Sequence, residues 1–163
     1  MSGGAQTITL SVDGRPLRAT VHTSTRLSDL LRLNAGCGEG VCGACTVVVD
    51  GEALRGCLLL AVQADGAEIL TVASLPTIEG APAGASGLTP LQEAVRDAGA
   101  LQCGWCTPGL LVGTAAFLKD RDQASKDDIL QHLVGHLCRC TGSASSLAAI
   151  EATLAARRTE ARS

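Results

Sequence analysis

A chain of 163 residues with 46% hydrophobic and 18% charged side chains holds enough apolar material for one ordinary domain or two small ones, which excludes wholesale disorder. A net charge of −3, with one Trp, one Phe and no Tyr, excludes the basic, aromatic-bearing surfaces that hold nucleic acid. The longest apolar stretches, Leu58–Val62 and Leu110–Leu118, fall short of the roughly 18 residues of a spanning helix, so no membrane span is expected.

In chain order, Thr7–Val12 alternates like a strand where an export signal would show a basic and then an apolar run, which points to the cytoplasm. Arg15–Val21 follows across Asp13-Gly14, a two-residue hairpin signal. Leu27, Leu30, Leu31 and Leu33 form a helical stripe with Thr25 as its N-cap. A glycine-dense loop runs from Gly36 to Gly43. Strands are predicted at Thr46–Val49 and Glu52–Leu54 around Asp50-Gly51, and again at Glu68–Val72. Pro76–Gly87 reads as a linker. Beyond it, Thr89-Pro90-Leu91-Gln92 is a capping box, Thr107-Pro108 starts a helix through Leu118, Ser125 opens another through Leu133, and Ser143–Arg158 supports a fourth. The layout is a β-rich module over residues 1–80 and a helical module over residues 81–163.

All eight cysteines fall into two quartets. Without an export signal, metal or redox chemistry is favoured over disulfides. Cys37-x4-Cys42-x2-Cys45, with Cys57 after a longer gap, is the spacing of plant-type [2Fe–2S] ferredoxins, and three ligands on one glycine-rich loop do not suit the paired knuckles of zinc. A four-thiolate cluster carries a formal charge of about −2 oxidised and −3 reduced. Gly36, Gly38, Gly40 and Gly43 suit a backbone that turns N–H groups towards such sulfurs. Cys103-x2-Cys106 and Cys138-x-Cys140 make the second quartet. Its spacing leaves both iron–sulfur and zinc open, although a C-x-C pair is unusual for zinc and both pairs precede helix starts.

Three stretches, Gly36-Cys37-Gly38-Glu39-Gly40-Val41-Cys42-Gly43-Ala44-Cys45-Thr46, Leu101-Gln102-Cys103-Gly104-Trp105-Cys106-Thr107-Pro108-Gly109 and Leu137-Cys138-Arg139-Cys140-Thr141-Gly142, together resemble the iron–sulfur subunit of the molybdenum hydroxylases, the family of xanthine oxidase, aldehyde oxidoreductase and aerobic carbon monoxide dehydrogenase. The resemblance implies an α+β fold: an N-terminal β-grasp ferredoxin module and a C-terminal four-helix bundle, each with one [2Fe–2S] cluster. It implies a heterotrimer, or a dimer of heterotrimers. In it this chain carries electrons from a molybdopterin centre in a large subunit, past the Cys103/Cys106/Cys138/Cys140 cluster and then the Cys37/Cys42/Cys45/Cys57 cluster, to FAD in a medium subunit. Gln102 matches the family's pterin-contacting glutamine and Cys140 the ligand nearest to it. The chain departs from the family pattern at Val41, Trp105, His136 and Ser143–Leu147.

Several residues carry a structural expectation instead. His132 and His136, at i, i+4 spacing, read as a helix end whose imidazoles favour the C-terminal dipole. Trp105 reads as a packing residue that shields the cluster, and Arg139 as either a partner of cluster charge or a solvated side chain. Arg157, Arg158 and Arg162 read as a solvated, fraying end. Rival functions are a free-standing ferredoxin-like carrier and a zinc-stabilised interaction module.

Overall fold

The computed structural model describes residues 4–160. Five strands form one mixed sheet in the order β2-β1-β5-β3-β4. β1 (Ala5–Val12) and β2 (Arg15–His22) pair antiparallel from Ala5↔His22 to Val12↔Arg15. Asp13 and Gly14 supply the two positive φ values, 51° and 75°, that a tight hairpin turn needs. β3 (Thr46–Val49) and β4 (Glu52–Arg55) repeat the device around Asp50-Gly51. β5 (Glu68–Leu70) lies between the hairpins, parallel to β1 and antiparallel to β3.

The leucine stripe makes only one helical turn, α1 (Leu27–Leu30), and Thr25 does not cap it. Its first N–H groups are taken instead by the chain that follows β4: Leu27 N donates to Leu59 O (2.8 Å) and Ser28 N to Gly56 O (2.9 Å). Tertiary bonds thereby satisfy donors that a side-chain cap would otherwise serve.

Residues 76–87 are not wholly a linker. Leu75–Glu79 is a helix, α2, with Pro76 in its first turn, where proline is tolerated, and Gly80 ending it at φ 70°. Leu75 and Ile78, three apart, are buried. The capping box forms as read: Thr89 Oγ1 accepts from Gln92 N while Gln92 Oε1 accepts from Thr89 N, at the start of α3 (Pro90–Asp97). α4 (Thr107–Leu118) is apolar around most of its circumference and is buried accordingly. α5 (Lys126–Val134) starts on a Ser125–Asp128 box, and α6 (Ala144–Glu160) packs against α3 and α5.

β3 is buried along its whole length, and its residues point alternately into two cores. Val47 and Val49 join Ile8, Leu10, Leu27 and Ile69 on one face. Val48 joins Leu75, Leu91, Leu111, Val112 and Ala149 on the other. A third cluster, Leu110, Leu118, Ile129, Leu133, Ile150 and Leu154, unites α4, α5 and α6.

Arg157 and Arg158 are not fraying. Arg157 Nη1 donates to Leu118 O (3.1 Å) at the end of α4, and its Nη2 lies 3.6 Å from Glu79 Oε1. Arg158 donates to Asp122 O (2.7 Å) and Ala124 O (3.1 Å). Two guanidinium groups thus satisfy carbonyls at and beyond a helix end that α4 itself leaves without partners. Arg162 lies outside the described residues. The Glu79 side chain is wholly buried and also accepts from Leu91 N (3.1 Å), so one carboxylate joins α2, α3 and α6. Removing Arg157 alone strands that carboxylate. Arg157→Met should cost about 3 kcal/mol in chemical denaturation, and Glu79→Gln/Arg157→Met should recover more than half of it. Additive losses would show that the two side chains act independently.

Candidate metal centres

The loop between α1 and β3 folds back on itself. Gly38 (φ 70°) and Gly40 (φ 79°) occupy backbone conformations that a side chain strains, and an added Cβ at Gly40 would collide with Leu58. The turns aim amides at sulfur: Glu39 N and Cys42 N each donate to Cys37 Sγ (3.3 Å), Gly40 N to Cys57 Sγ (3.2 Å) and Cys37 N to Cys42 Sγ (3.4 Å). Cys57, beyond β4, is thereby drawn to the same loop as Cys37, Cys42 and Cys45. Bonds from the amides of Cys42 and Glu39 lower the exposed Cys37 thiol to about 6, whereas burial raises Cys45. Amides that stabilise one thiolate in this way are the donors a negatively charged cluster requires.

The second quartet closes over a long sequence gap. Cys138 lies near enough to Cys106, and Cys103 to Cys140, for each pair to influence its ionisation. Burial, with the Cys138 bond next, pushes the Cys106 thiol up to about 11. Burial works against Cys138 too, yet Thr141 donates to it from Oγ1 (3.1 Å) and N (3.4 Å) and lowers it. Cys106 is the N-cap of α4, so positive helix-end dipoles face this group. Among the described residues no three His, Cys, Asp or Glu side chains gather closely enough for a single ion. Cys103, Cys140, Gln102 and Arg139 are exposed.

Trp105 is 54% exposed and so does not shield the group as expected; its carbonyl accepts from Asn34 Nδ2 (3.0 Å). The histidine pair also differs from expectation. His132 stacks on Phe117 at 4.6 Å and lies 4.7 Å from His136, which is buried. Burial first, then His136, Arg55 and Arg121, lowers His132 to about 3, so both its own packing and its neighbours keep it neutral rather than a cationic helix cap.

Sequence reasoning missed how closely the two centres meet. Leu137 N, one residue before Cys138, donates to Cys42 O (2.9 Å). An added Cβ on Gly109 would strike the carbonyl oxygens of Gly43 and Ala44, and one on Gly113 would strike His136 Nε2. Arg55, two residues before Cys57, donates to Thr46 Oγ1 and to Gly135 O (2.6 Å). The one available signal was the G-x3-G spacing of Gly109 and Gly113 on an otherwise apolar helix, which marks a close approach by another segment.

Residues 10–71 match the family model described as 2Fe-2S iron-sulfur cluster binding domain, and residues 77–151 match that of a [2Fe-2S] binding domain. The chain is 42% identical over 142 residues to the small subunit of nicotine 6-hydroxylase from Paenarthrobacter nicotinovorans, covering 83% of this chain and 81% of that one. It is 43% identical over 144 residues to the xanthine dehydrogenase iron-sulfur-binding subunit of Escherichia coli O157:H7, covering 83% and 86%. In structure it matches a chain of quinoline 2-oxidoreductase from Pseudomonas putida 86 with a TM-score of 0.82 at 36% identity, over 95% of this chain and 97% of that one. An aldehyde oxidoreductase from Desulfovibrio desulfuricans matches with a TM-score of 0.80 at 36% identity, over 95% of this chain and 17% of that longer one.

Two outcomes test the packing of the site. Gly109→Ala should lower stability by about 2 kcal/mol in denaturant, because overpacking against backbone outweighs the gain in helix propensity. A rise in stability would mean that α4 has room to move. For His132, the folded pKa of about 3 lies below the ordinary 6.5, so the unfolded chain takes up a proton that the folded one refuses. Stability is complete above about pH 6.5 and is lost progressively as pH falls towards 3. The denaturation midpoint should therefore drop between pH 7.5 and 5.5, and by less in His132→Gln; equal drops would show that His132 is not the group titrating.

Proposed function

Because the chain belongs to the iron–sulfur subunits of the molybdenum hydroxylases, we propose that Cys37, Cys42, Cys45 and Cys57 hold one of its two [2Fe–2S] clusters and Cys103, Cys106, Cys138 and Cys140 the other. The chain is an electron-transfer subunit of an oxidoreductase. The zinc reading of the second quartet gives way to the match of residues 77–151 to a [2Fe-2S] binding domain. The observation that supports the ligand assignment is that each quartet has N–H or O–H donors aimed at its sulfurs: Glu39 N at Cys37, Gly40 N at Cys57 and Thr141 Oγ1 at Cys138. When bound, a cluster of this kind takes up and releases one electron at a time without making or breaking bonds to carbon.

The chain's own residues then do three things. Glu39, Gly40 and Cys42 offset thiolate charge with backbone amides in the first group, and Thr141 does so in the second. The Leu137 N–H to Cys42 O bond supplies a short bonded route from Cys138 to Cys42. Leu101, Trp105 and Leu137 leave an exposed apolar surface round the second group; Val41, Leu58 and Leu60 do so round the first.

These surfaces support two docked partners over a free-standing carrier. The large molybdopterin-binding subunit sits at the second group, with the exposed Gln102 beside Cys103 turned to the pterin, and the medium FAD-binding subunit sits at the first. The assembly is a heterotrimer, or a dimer of heterotrimers. The strand order, with a parallel β1/β5 pair between two hairpins, supports a β-grasp ferredoxin module over residues 1–80. Helices α3, α4, α5 and α6 support a four-helix module over residues 81–163. Among the described residues no helix is long and apolar enough to cross a membrane, and we place the assembly in the cytoplasm.

The test is a complex purified through a tag on this chain. About four iron and four sulfide per chain are expected, with molybdenum in a co-purifying larger subunit. Cys106→Ser should abolish turnover while the spectrum of the first cluster persists. Full turnover in that variant would overturn the relay role.

A further inference from the structure

Arg55 stands at the end of β4 and belongs to neither quartet, yet it touches the segments that lead into both. Its Nη1 donates to Thr46 Oγ1, and Thr46 Oγ1 in turn donates to Gly43 O (2.6 Å), inside the first cysteine loop. Its Nη2 donates to Gly135 O (2.6 Å), and Nη1 also lies 3.4 Å from His136 Nε2. His136 is buried, and its Nδ1 lies 3.3 Å from His132 O, so this ring is held from both sides. Gly135 and His136 are the two residues before Leu137, whose N–H reaches Cys42 O. One planar guanidinium therefore ties the base of the first loop to the segment that ends in Cys138. A rigid fork suits this task better than a flexible ammonium, since it addresses acceptors on two segments at once.

We propose that Arg55 is a positioning residue for electron transfer between the two centres: it clamps Gly135–Leu137 onto Cys42–Thr46 and so fixes the Leu137–Cys42 hydrogen bond. This rests on the ligand assignment above. In the step that it serves, one electron leaves the Cys103/Cys106/Cys138/Cys140 group, which is oxidised, and arrives at the Cys37/Cys42/Cys45/Cys57 group, which is reduced. No proton or bond is exchanged. Arg55 touches neither group and acts only through the backbone that it holds.

Arg55→Met, Arg55→Lys and Gly135→Ala should be made in the tagged full complex. Gly135→Ala leaves Arg55 in place, but its new Cβ would lie 2.8 Å from Arg55 Nη2, which must swing away from the Gly135 carbonyl; the backbone there is not strained for alanine. Two readouts separate positioning from general stability: hydrogen exchange at the Leu137 amide, and the magnetic interaction between the two reduced clusters in electron paramagnetic resonance. In Arg55→Met, exchange at Leu137 should quicken by roughly tenfold to a hundredfold, the loss expected for a charge-assisted hydrogen bond. The magnetic interaction should weaken while each cluster keeps its own spectrum, with Arg55→Lys intermediate and Gly135→Ala close to Arg55→Met. Loss of the second cluster in both Arg55→Met and Gly135→Ala, with the first intact, would overturn the positioning role and make Arg55 a structural support of the second group. Unchanged exchange and an unchanged magnetic interaction in Arg55→Met, with both clusters loaded, would overturn it. Absence of both clusters from the unaltered complex would instead overturn the ligand assignment.

Discussion

The backbone of one cysteine loop lies directly against the helix and loop that carry the other quartet, and most of the architecture follows from that approach. Gly109 brings α4 down onto the carbonyl oxygens of Gly43 and Ala44, where any larger residue would hold it off. Gly113, one turn on, gives the His136 ring its place. With side chains removed from that seam, backbone donors meet backbone acceptors, and Leu137 N reaches Cys42 O. Contacts made by backbone at this range tolerate little adjustment, because close-packed interiors have few voids to absorb a shift. The spacing of the two quartets is therefore a property of the fold and not of flexible side chains.

The thiols within each quartet differ in how readily they ionise. In the first group the exposed Cys37 is eased towards thiolate by the amides of Cys42 and Glu39, while the buried Cys45 is held towards thiol. In the second, the half-buried Cys106 is the reluctant partner and Cys138, fed by Thr141, the willing one. Each quartet thus combines a sulfur already stabilised as an anion with one that needs positive charge to ionise.

Elements with local signals could be read from sequence alone. The Asp-Gly turns, the Thr89 capping box and the helix start at Ser125 all act through neighbours a few residues away, and all lie where they were expected. The misread elements are the ones decided by distant partners. Thr25 loses its capping role because Gly56 and Leu59 serve the same donors. The start of the linker becomes a helix because Leu75 and Ile78 find a core built largely from later residues. Arg157 and Arg158 looked like a solvated, fraying end and prove to be tied to carbonyls in a distant part of the chain, while His132 and His136, read as a helix end facing its dipole, are covered by Phe117 and by each other. Trp105, read as a packing residue, lies at the surface.

The two-faced burial of β3 bears on the order in which the protein is made. While only the first half of the chain has left the ribosome, Val47 and Val49 already have their core, but Val48 looks onto water with Leu70 and Val72 beside it. That nascent sheet has one finished side and one sticky side. Only when α2, α3 and α4 emerge is the second side covered, and only then does the loop of Cys42–Ala44 acquire the backbone that packs on it. Synthesis therefore presents the cysteines of the first quartet while their loop is still open on one side, and completion of the helices closes it. Cys45 and Cys57 then lie buried behind the loop, while Cys37 stays at its surface.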